Sequence, residues 1–192
     1  MKHFYLVRHT EFENHINVFH GRLPMPLSKE GRKHAQKIAG WFVDKGITKI
    51  YSSSVVRCRE TAEILSAALS VPIVFDVRLL EILTAIQGMD LDAYKKDRNL
   101  RFSKVGELGG ERMRDVQVRM LDCFYDINRN EKGNVVICSH GDGLYFLYCA
   151  LAGKDLSADV TKFIQDEYQK KGTVREITVE GDQYTPGPIL FL

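Results

Sequence analysis

The N-terminal region of the chain reads Phe4-Tyr5-Leu6-Val7-Arg8-His9-Thr10-Glu11. Its first four residues are apolar and rich in β-formers, and polar residues follow directly, so this stretch predicts a buried strand ending at a cationic pair. In open α/β sheets, ligands bind in the crevice outside the carboxyl ends of the strands. We therefore expect Arg8 and His9 to lie at a binding site.

The rest of the sequence alternates predicted strands and helices at the spacing of βαβ units. Further strands are predicted at residues 47–51, 71–75 and 134–139, helices at 29–46, 55–69, 91–98, 111–127 and 142–151, and a terminal hairpin around 181–182. This alternation predicts a three-layer α/β/α sandwich with a mainly parallel central sheet. Residues 81–110 are predicted to form an insertion over the sheet edge. We find no repeat or linker, so residues 1–192 are expected to form a single domain.

Serine residues precede the first two predicted helices. Ser28 is expected to cap the first helix, and a hydroxyl group of the Ser52-Ser53-Ser54 run is expected to cap the second. The loop between residues 11 and 27 has no sustained periodicity, and its length is typical of a functional loop.

The overall composition is that of an ordinary globular protein, with 44% apolar residues, 27% charged residues and a formal net charge of +2. This charge does not favour nucleic acid or a membrane surface as the main partner. No apolar run approaches the length of a membrane span or resembles a signal peptide. Cys58, Cys123, Cys138 and Cys149 lack metal-ligand spacing and lie in apolar stretches. These features predict a cytoplasmic protein with reduced, buried cysteines.

Cationic and imidazole side chains follow several of the predicted strands. His140 comes directly after the strand at 134–139, and Arg57 lies in the first turn of the second predicted helix. Because parallel strands end at the same edge of a sheet, Arg8, His9, Arg57 and His140 are expected to converge. Two guanidinium groups, two imidazoles and a helix N-terminus suit a phosphate group. Each residue alone has a structural explanation, so the prediction depends on their recurrence at one edge.

This arrangement resembles the histidine phosphatase superfamily, in its phosphoglycerate-mutase-like branch and of its compact phosphatase type. The matching blocks are Leu6-Val7-Arg8-His9, Gly21, Pro26-Leu27-Ser28-x-x-Gly31, Ser52-Ser53-x-x-x-Arg57-Cys58-x-x-Thr61-Ala62, Leu80-Glu81-Ile82, Gly109-Gly110-Glu111 and Val136-Ile137-Cys138-Ser139-His140-Gly141. A lone Arg-His pair would be unspecific. The blocks occur in the order of the family and cover most of residues 4–152, so the series is specific.

The resemblance implies a metal-independent phosphomonoester hydrolase that forms a covalent phosphohistidine on His9. It implies that Arg8, Arg57 and His140 hold the phosphate oxygens and that Glu81 protonates the leaving group. The implied substrate is a small phosphorylated metabolite, with no cofactor, nucleic acid or membrane partner. The resemblance leaves the oligomeric state open.

Two positions depart from the pattern of the family. Thr10 stands where the family usually has glycine, and its Cβ could narrow the pocket or point away from it. The family's asparagine aligns with Asn14 when counted back from Gly21, whereas counting forward from Arg8 leads to His15. We assign Asn14 as a further phosphate ligand, and the alternative is that it is a turn residue.

Several alternatives remain open at the level of the sequence. A phosphoglycerate-type mutase is one, although the resemblance suggests that mutases are longer chains with an extra insertion before the long helix. A non-catalytic domain that binds a phospho-ligand or a phosphoprotein is another. Glu81 could instead be a surface carboxylate paired with Arg78. The histidine spacing does not support a metallophosphatase. Sugar phosphates, phosphoglycerates, α-ribazole phosphate and protein phosphohistidine all fit the substrate class.

Overall fold

A computed structural model describes residues 1–102, 105, 109–156 and 167–192. Within these residues one six-stranded sheet contains β1 (Lys2–Arg8), β2 (Ile47–Ser52), β3 (Ile73–Phe75), β4 (Asn134–Ser139), β5 (Thr173–Glu180) and β6 (Gln183–Phe191). The strand order is β3-β2-β4-β1-β5-β6. The first four strands of this order are parallel, and β5 is antiparallel to both of its neighbours, β1 and β6. The predicted parallel sheet and terminal hairpin are confirmed.

The helices of the described residues are α1 (Lys29–Phe42), α2 (Val56–Leu69), α3 (Leu91–Lys96), α4 (Met113–Asn130) and α5 (Gly141–Leu151). Short 3₁₀ turns cover Val77–Leu79 and Arg98–Arg101. Each predicted helix is present, with ends that differ by a few residues. In the described parts of the chain, no helix combines the length and the apolar character that crossing a membrane requires.

Each face of the sheet carries its own hydrophobic core. Phe4 and Leu6 of β1 pack with side chains of α4 and α5, whereas Tyr5 and Val7 pack with side chains of α1 and α2. Successive side chains of a strand point to opposite faces, so a strand buried on both sides is a run of apolar residues. The three-layer α/β/α sandwich is therefore confirmed, and it explains the uninterrupted apolar run that opens the sequence.

The described part of the insertion packs against the long loop that follows β1. Phe19 of that loop forms a small buried cluster with Ile86 and Tyr94 of the insertion. An isolated antiparallel bridge joins Val18 to Asp90. The insertion and the loop thus cover the carboxyl edge of the sheet together. Residues 103, 104 and 106–108 of the predicted range lie outside the described residues.

The two predicted serine caps have different outcomes. The Ser28 hydroxyl accepts a hydrogen bond from the Gly31 N–H at 3.0 Å, which confirms the cap of α1. The predicted serine cap of α2 is wrong, because its N-cap residue is Val55 and no side chain caps it. The N–H of Ser53 still bonds to the Cys138 carbonyl oxygen of β4 at 3.0 Å. The sheet pairing therefore continues through Ser53, and the helix begins later than the serine run.

The four cysteines occupy core positions. Cys58, Cys123, Cys138 and Cys149 are free and buried. Their placement agrees with the prediction that they are small buried hydrophobic residues.

Gly31 and Gly40 lie on the same helix, α1, in opposite surroundings. A Cβ at Gly31 would lie 1.9 Å from the Glu11 carbonyl oxygen, whereas one at Gly40 would have nothing within 4 Å. We predict that Gly31→Ala lowers the free energy of unfolding by about 1–3 kcal/mol, because a backbone clash cannot be relieved by a rotamer change. Gly40→Ala should raise it by about 0.5–1 kcal/mol, because alanine has the higher helix propensity.

Urea unfolding of both variants measures these changes as shifts in the transition midpoint. Gly40→Ala serves as the matched control for helix propensity. A Gly31→Ala variant as stable as Gly40→Ala would contradict the close approach of α1 to residue 11.

Candidate active site

Three of the predicted site residues meet at the carboxyl edge of the sheet. The Nε atom of Arg57 lies 3.1 Å from Nε2 of His9, and its Nη2 atom lies 2.9 Å from Nδ1 of His140. The two imidazole centroids are 5.3 Å apart. All three residues have no exposed surface. The ends of β1 and β4 and the first turn of α2 thus form one buried cluster.

Arg8 lies at the end of β1 next to His9, and its charge acts on that imidazole. Its Nη1 atom donates a hydrogen bond to the Gln169 carbonyl oxygen at 2.7 Å, and its guanidinium group lies 5.3 Å from the ring centre of Tyr168. A Cβ at Gly141 would lie 2.9 Å from Cζ of Arg8 and 2.3 Å from the Tyr168 hydroxyl oxygen. Glycine at position 141 therefore leaves space for the ends of the Tyr168 and Arg8 side chains beside α5. Sequence analysis missed Tyr168 and Gln169, because that segment contains no recognisable motif.

The hydrogen bonds of His9 define which ring nitrogen carries its proton. Nδ1 lies 2.9 Å from the Thr10 carbonyl oxygen, which can only accept, and Nε2 accepts from Nε of Arg57. The proton is therefore on Nδ1, and the single lone pair of Nε2 accepts the hydrogen bond from Arg57. Burial first, and then the charges of Arg57 and Arg8, hold the pKa of His9 well below its ordinary value of 6.5. His9 is thus a neutral imidazole, the form that can act as a nucleophile.

His140 is neutral as well and is held by hydrogen bonds through both ring nitrogens. Its Nδ1 atom accepts from Nη2 of Arg57, so its Nε2 atom donates to the Ser53 hydroxyl oxygen at 2.9 Å. Burial, followed by the charge of Arg57, holds the pKa of His140 well below 6.5. The serine that does not cap α2 therefore orients this imidazole.

Glu81 extends from the segment after the Val77–Leu79 turn into the same cluster. Its Oε2 atom lies 3.8 Å from Nη2 of Arg57 and 3.7 Å from Nδ1 of His140. Its Oε1 atom accepts a hydrogen bond from the Ile82 N–H at 3.0 Å. Only 8% of the residue surface is exposed. One carboxylate oxygen is thus anchored, and the other faces the arginine and the imidazole.

The surroundings of Glu81 favour its protonated form. Burial, and then the nearby carboxylate of Asp142, raise its pKa above the ordinary value, although Arg57 acts in the opposite direction. The alternative pairing with Arg78 is wrong, because Arg78 binds Asp76 at 2.7 Å. Asp142, which sequence analysis missed, is 3% exposed in the first turn of α5.

Thr10 directs its hydroxyl group towards α2. Its Oγ1 atom lies 3.4 Å from Oγ1 of Thr61, and its backbone N–H donates to the same atom at 3.3 Å. The Thr61 hydroxyl in turn donates to the Arg57 carbonyl oxygen at 2.8 Å. The residue that departs from the family's glycine therefore ties β1 to the helix turn that carries Arg57.

Asn14 closes a turn in the loop after β1. Its Nδ2 atom donates to the Val18 carbonyl oxygen at 2.8 Å, and its Oδ1 atom accepts from the Val18 N–H at 3.3 Å. This geometry matches the turn alternative, and the hydrogen bonds among the described residues do not join Asn14 to the imidazoles. His15 is exposed and bonds Glu13 at 2.9 Å. A role of Asn14 in phosphate binding stays a prediction.

Aromatic side chains from the same loop surround the cluster. The Phe12 ring centre lies 5.5 Å from that of His9, 4.6 Å from that of His20 and 5.3 Å from Cζ of Arg57. Burial first, and then the charges of Arg57 and Arg8, lower the pKa of His20 to about 2. Phe12 and His20 were missed because their loop has no periodic pattern. They pack against one side of the cluster, and neutral His20 adds no positive charge there.

Comparison with known proteins identifies the family of the chain. Residues 4–185 match the model of the histidine phosphatase superfamily (branch 1). A protein of Hydrogenobacter thermophilus that is provisionally named phosphoserine phosphatase 2 is 30% identical over 96% of this chain and 93% of its own length. A protein of Escherichia coli O1:K1 named "Probable phosphoglycerate mutase GpmB" is 31% identical over 80% of this chain and 76% of its own length.

Solved structures show the same fold. YhfR of Bacillus stearothermophilus superposes with a TM-score of 0.82 and 27% identity, covering 98% of this chain and 96% of its own. A mycobacterial glucosyl-3-phosphoglycerate phosphatase superposes with a TM-score of 0.80 at 19% identity, covering 98% of both chains, which is evidence for the fold alone. The chain belongs to the histidine phosphatase superfamily, in its phosphoglycerate-mutase-like branch.

Proposed function

We propose that this chain hydrolyses a small phosphomonoester through a covalent phosphohistidine on His9, without a metal ion. The observation that carries the proposal is the state of His9, a buried neutral imidazole whose Nε2 lone pair faces Nε of Arg57 at 3.1 Å. A nucleophile in this form needs no base to remove a proton before it attacks. The superfamily membership supports the proposal, because its relatives include proteins named as phosphatases and mutases.

Two arginine nitrogens are available for the phosphoryl oxygens. Nη1 of Arg57 and Nε of Arg8 are buried and have no hydrogen-bond partner among the described residues. Buried donors without partners are rare in proteins, and they commonly mark a functional site. Arg8 and Arg57 would bind the oxygens of the phosphoryl group, and His140 would line the site beside them. Asn14 would be a further ligand if it exchanged its bonds to Val18 for the substrate.

The proposed reaction has two steps that share the same groups. In the first, the Nε2 lone pair of His9 forms a bond to phosphorus while the ester P–O bond breaks, and Glu81 gives its proton to the leaving oxygen. In the second, water attacks phosphorus, Glu81 takes a proton from it, and the P–N bond breaks. Inorganic phosphate and neutral His9 result. Arg8 and Arg57 stabilise the negative charge on the phosphoryl oxygens in both steps.

A phosphoglycerate-type mutase is the second candidate, and the 31% identity to the GpmB protein favours it. A mutase must keep water from the phosphoenzyme, which calls for an extended lid. In this chain only residues 82–112 separate Glu81 from α4. This segment is short for an extended lid, which favours the hydrolase. Incubation with 3-phosphoglycerate distinguishes the two, because a hydrolase releases phosphate and a mutase forms 2-phosphoglycerate.

The substrate class is best addressed with a panel of phosphomonoesters ranked by kcat/KM. Phosphoserine and the phosphoglycerates come first, because the relatives at 30% identity or more are named for them. Sugar phosphates, α-ribazole phosphate and a protein phosphohistidine complete the panel.

We predict that His9→Ala abolishes turnover, because the variant lacks the imidazole nitrogen that would form the bond to phosphorus. Gels run after an alkaline detergent quench of the reaction with labelled substrate should show a label on the wild-type chain that acid removes and alkali does not, and no label on the variant. His34→Gln is the matched control, since this histidine bonds the Leu192 carbonyl oxygen at 3.0 Å, outside the cluster. A wild-type chain that binds substrate but never acquires label would instead indicate a non-catalytic binding domain.

We predict that Glu81→Gln slows the first step in proportion to the proton demand of the leaving group. Loss of a general acid should lower kcat/KM for an alkyl phosphate by about 100-fold or more. For p-nitrophenyl phosphate, kcat/KM, which reports the first step, should change by less than about threefold, because nitrophenolate leaves without a proton. Equal losses for the two substrates would argue against Glu81 as the acid.

We predict that the alkyl phosphatase rate falls as the pH rises through the raised pKa of Glu81, since only the protonated acid can donate. Asp142→Asn removes a carboxylate that raises this pKa, so it should move the falling limb of the pH profile of kcat/KM to lower pH. Asp182→Asn, in the β5–β6 turn, is the control and should leave the limb in place. A limb that does not move in Asp142→Asn would show that Glu81 does not produce it.

A further inference from the structure

Glu111 connects three parts of the chain around the segment that carries Glu81. Its Oε1 atom accepts from Nε of Arg119 in α4 at 2.7 Å. Its Oε2 atom accepts from Nη2 of Arg22 in the long loop at 2.9 Å and from the Leu83 N–H at 2.7 Å. One carboxylate thus receives donors from two arginines and from the backbone beyond Glu81.

The same two arginines hold the backbone of Glu81 itself. Its carbonyl oxygen accepts from Nε of Arg22 at 2.8 Å and from Nη2 of Arg119 at 3.4 Å. Nη1 of Arg119 also donates to the Arg78 carbonyl oxygen at 2.5 Å. The segment is therefore bound before, at and after Glu81, and Glu111 orients both of the arginines that bind it.

The backbone around Glu111 is docked against the same segment. Its N–H donates to the Leu83 carbonyl oxygen at 2.9 Å, and Gly110 bridges to Thr84. A Cβ at Gly110 would lie 2.8 Å from the Leu83 carbonyl oxygen, and the φ angle of Gly110 is +123°. The close approach that brings Glu111 to the arginines therefore requires glycine at position 110.

The carboxylate of Glu111 is also the counter-ion of Arg22 and Arg119. The side chains of Arg22 and Arg119 are 27% and 16% exposed, and that of Glu111 is 21% exposed. Burial raises the pKa of Glu111, but the hydrogen bonds from Arg119 and from the Leu83 N–H outweigh it and lower that pKa overall. At neutral pH Glu111 is an ionised acceptor, which strengthens its bonds to both arginines.

We propose that Glu111 is the positioning residue for Glu81, acting through Arg22 and Arg119. The inference rests on the proposed role of Glu81 as general acid. The Glu81 carboxyl group lies 3.7–3.8 Å from His140 and Arg57, so a small shift of its backbone changes how it meets the leaving oxygen. Misplacement of a catalytic group by about 1 Å costs about 100-fold in rate. Glu111 does not itself touch the reacting atoms.

The test is Glu111→Gln, which keeps the size of the side chain and removes its charge. We expect kcat/KM for an alkyl phosphate to fall by about 10-fold to 100-fold, with kcat/KM for p-nitrophenyl phosphate changed by less than about threefold. In the double variant Glu81→Gln/Glu111→Gln, the second change should add almost nothing to the loss caused by the first. Non-additivity is the signature of residues that act through one another.

Glu131→Gln is the matched control. Glu131 lies at the other end of α4 and accepts from Nζ of Lys49 and from the Tyr51 hydroxyl, both at 2.6 Å. The Glu131→Gln variant should change kcat/KM for both substrates equally or leave both unchanged. Arg22→Lys keeps the charge and loses the fork that reaches both Glu81 and Glu111. It gives a second route to the same leaving-group effect should Glu111→Gln fold poorly.

Equal losses for the two substrates in Glu111→Gln or Arg22→Lys, or an additive loss in the double variant, would overturn the positioning role. A wild-type chain that hydrolyses neither substrate would overturn the proposed function, and the inference with it. An active wild-type chain whose Glu81→Gln variant shows the leaving-group effect and whose Glu111→Gln variant does not would overturn the inference alone.

Discussion

The buried guanidinium group of Arg57 is the interaction on which the rest of the site depends. It donates to His9, to His140 and to the Gly21 carbonyl oxygen at 2.7 to 3.1 Å, and it has no exposed surface. A charge taken out of water is costly unless neighbouring groups compensate for it. Arg57 lies on α2, and its hydrogen-bond acceptors come from the ends of β1 and β4 and from the long loop. These four parts of the chain therefore meet at this residue.

The charge of Arg57 also sets the protonation states around it. Its nearest carboxylate, that of Glu81, is 3.8 Å away, so the positive field extends over both imidazoles and contributes to keeping them neutral. Glu81 experiences the opposite balance, since burial and Asp142 outweigh the arginine and raise its pKa. A neutral imidazole and a carboxyl group with a raised pKa thus lie side by side in one small volume. A phosphate dianion would supply the negative charge that this cluster lacks.

Thr10 and the serine run before α2 show where reasoning from the sequence succeeds and where it does not. The position of Thr10 was evident from the sequence, but its hydrogen bonds to Thr61 depend on how α2 packs on β1. The serine run before α2 has the composition of a helix cap, yet sheet pairing extends to Ser53 and leaves that residue to bind His140. In both cases a contact with a distant segment overrides the local preference of the residue.

The sequence by itself determined the parallel sheet and the residues at its edge. Strands buried on both faces must be apolar runs, and chain connectivity requires that their ends share one edge, so Arg8, His9 and His140 could be placed together. Only the tertiary structure decided the proton position on His9, the burial of Glu81 and the connection through Glu111. These features depend on contacts such as that between Arg22 and Glu111, which are 89 residues apart and lie in segments without periodic patterns. No local pattern encodes such a contact, because it forms only when the layers pack.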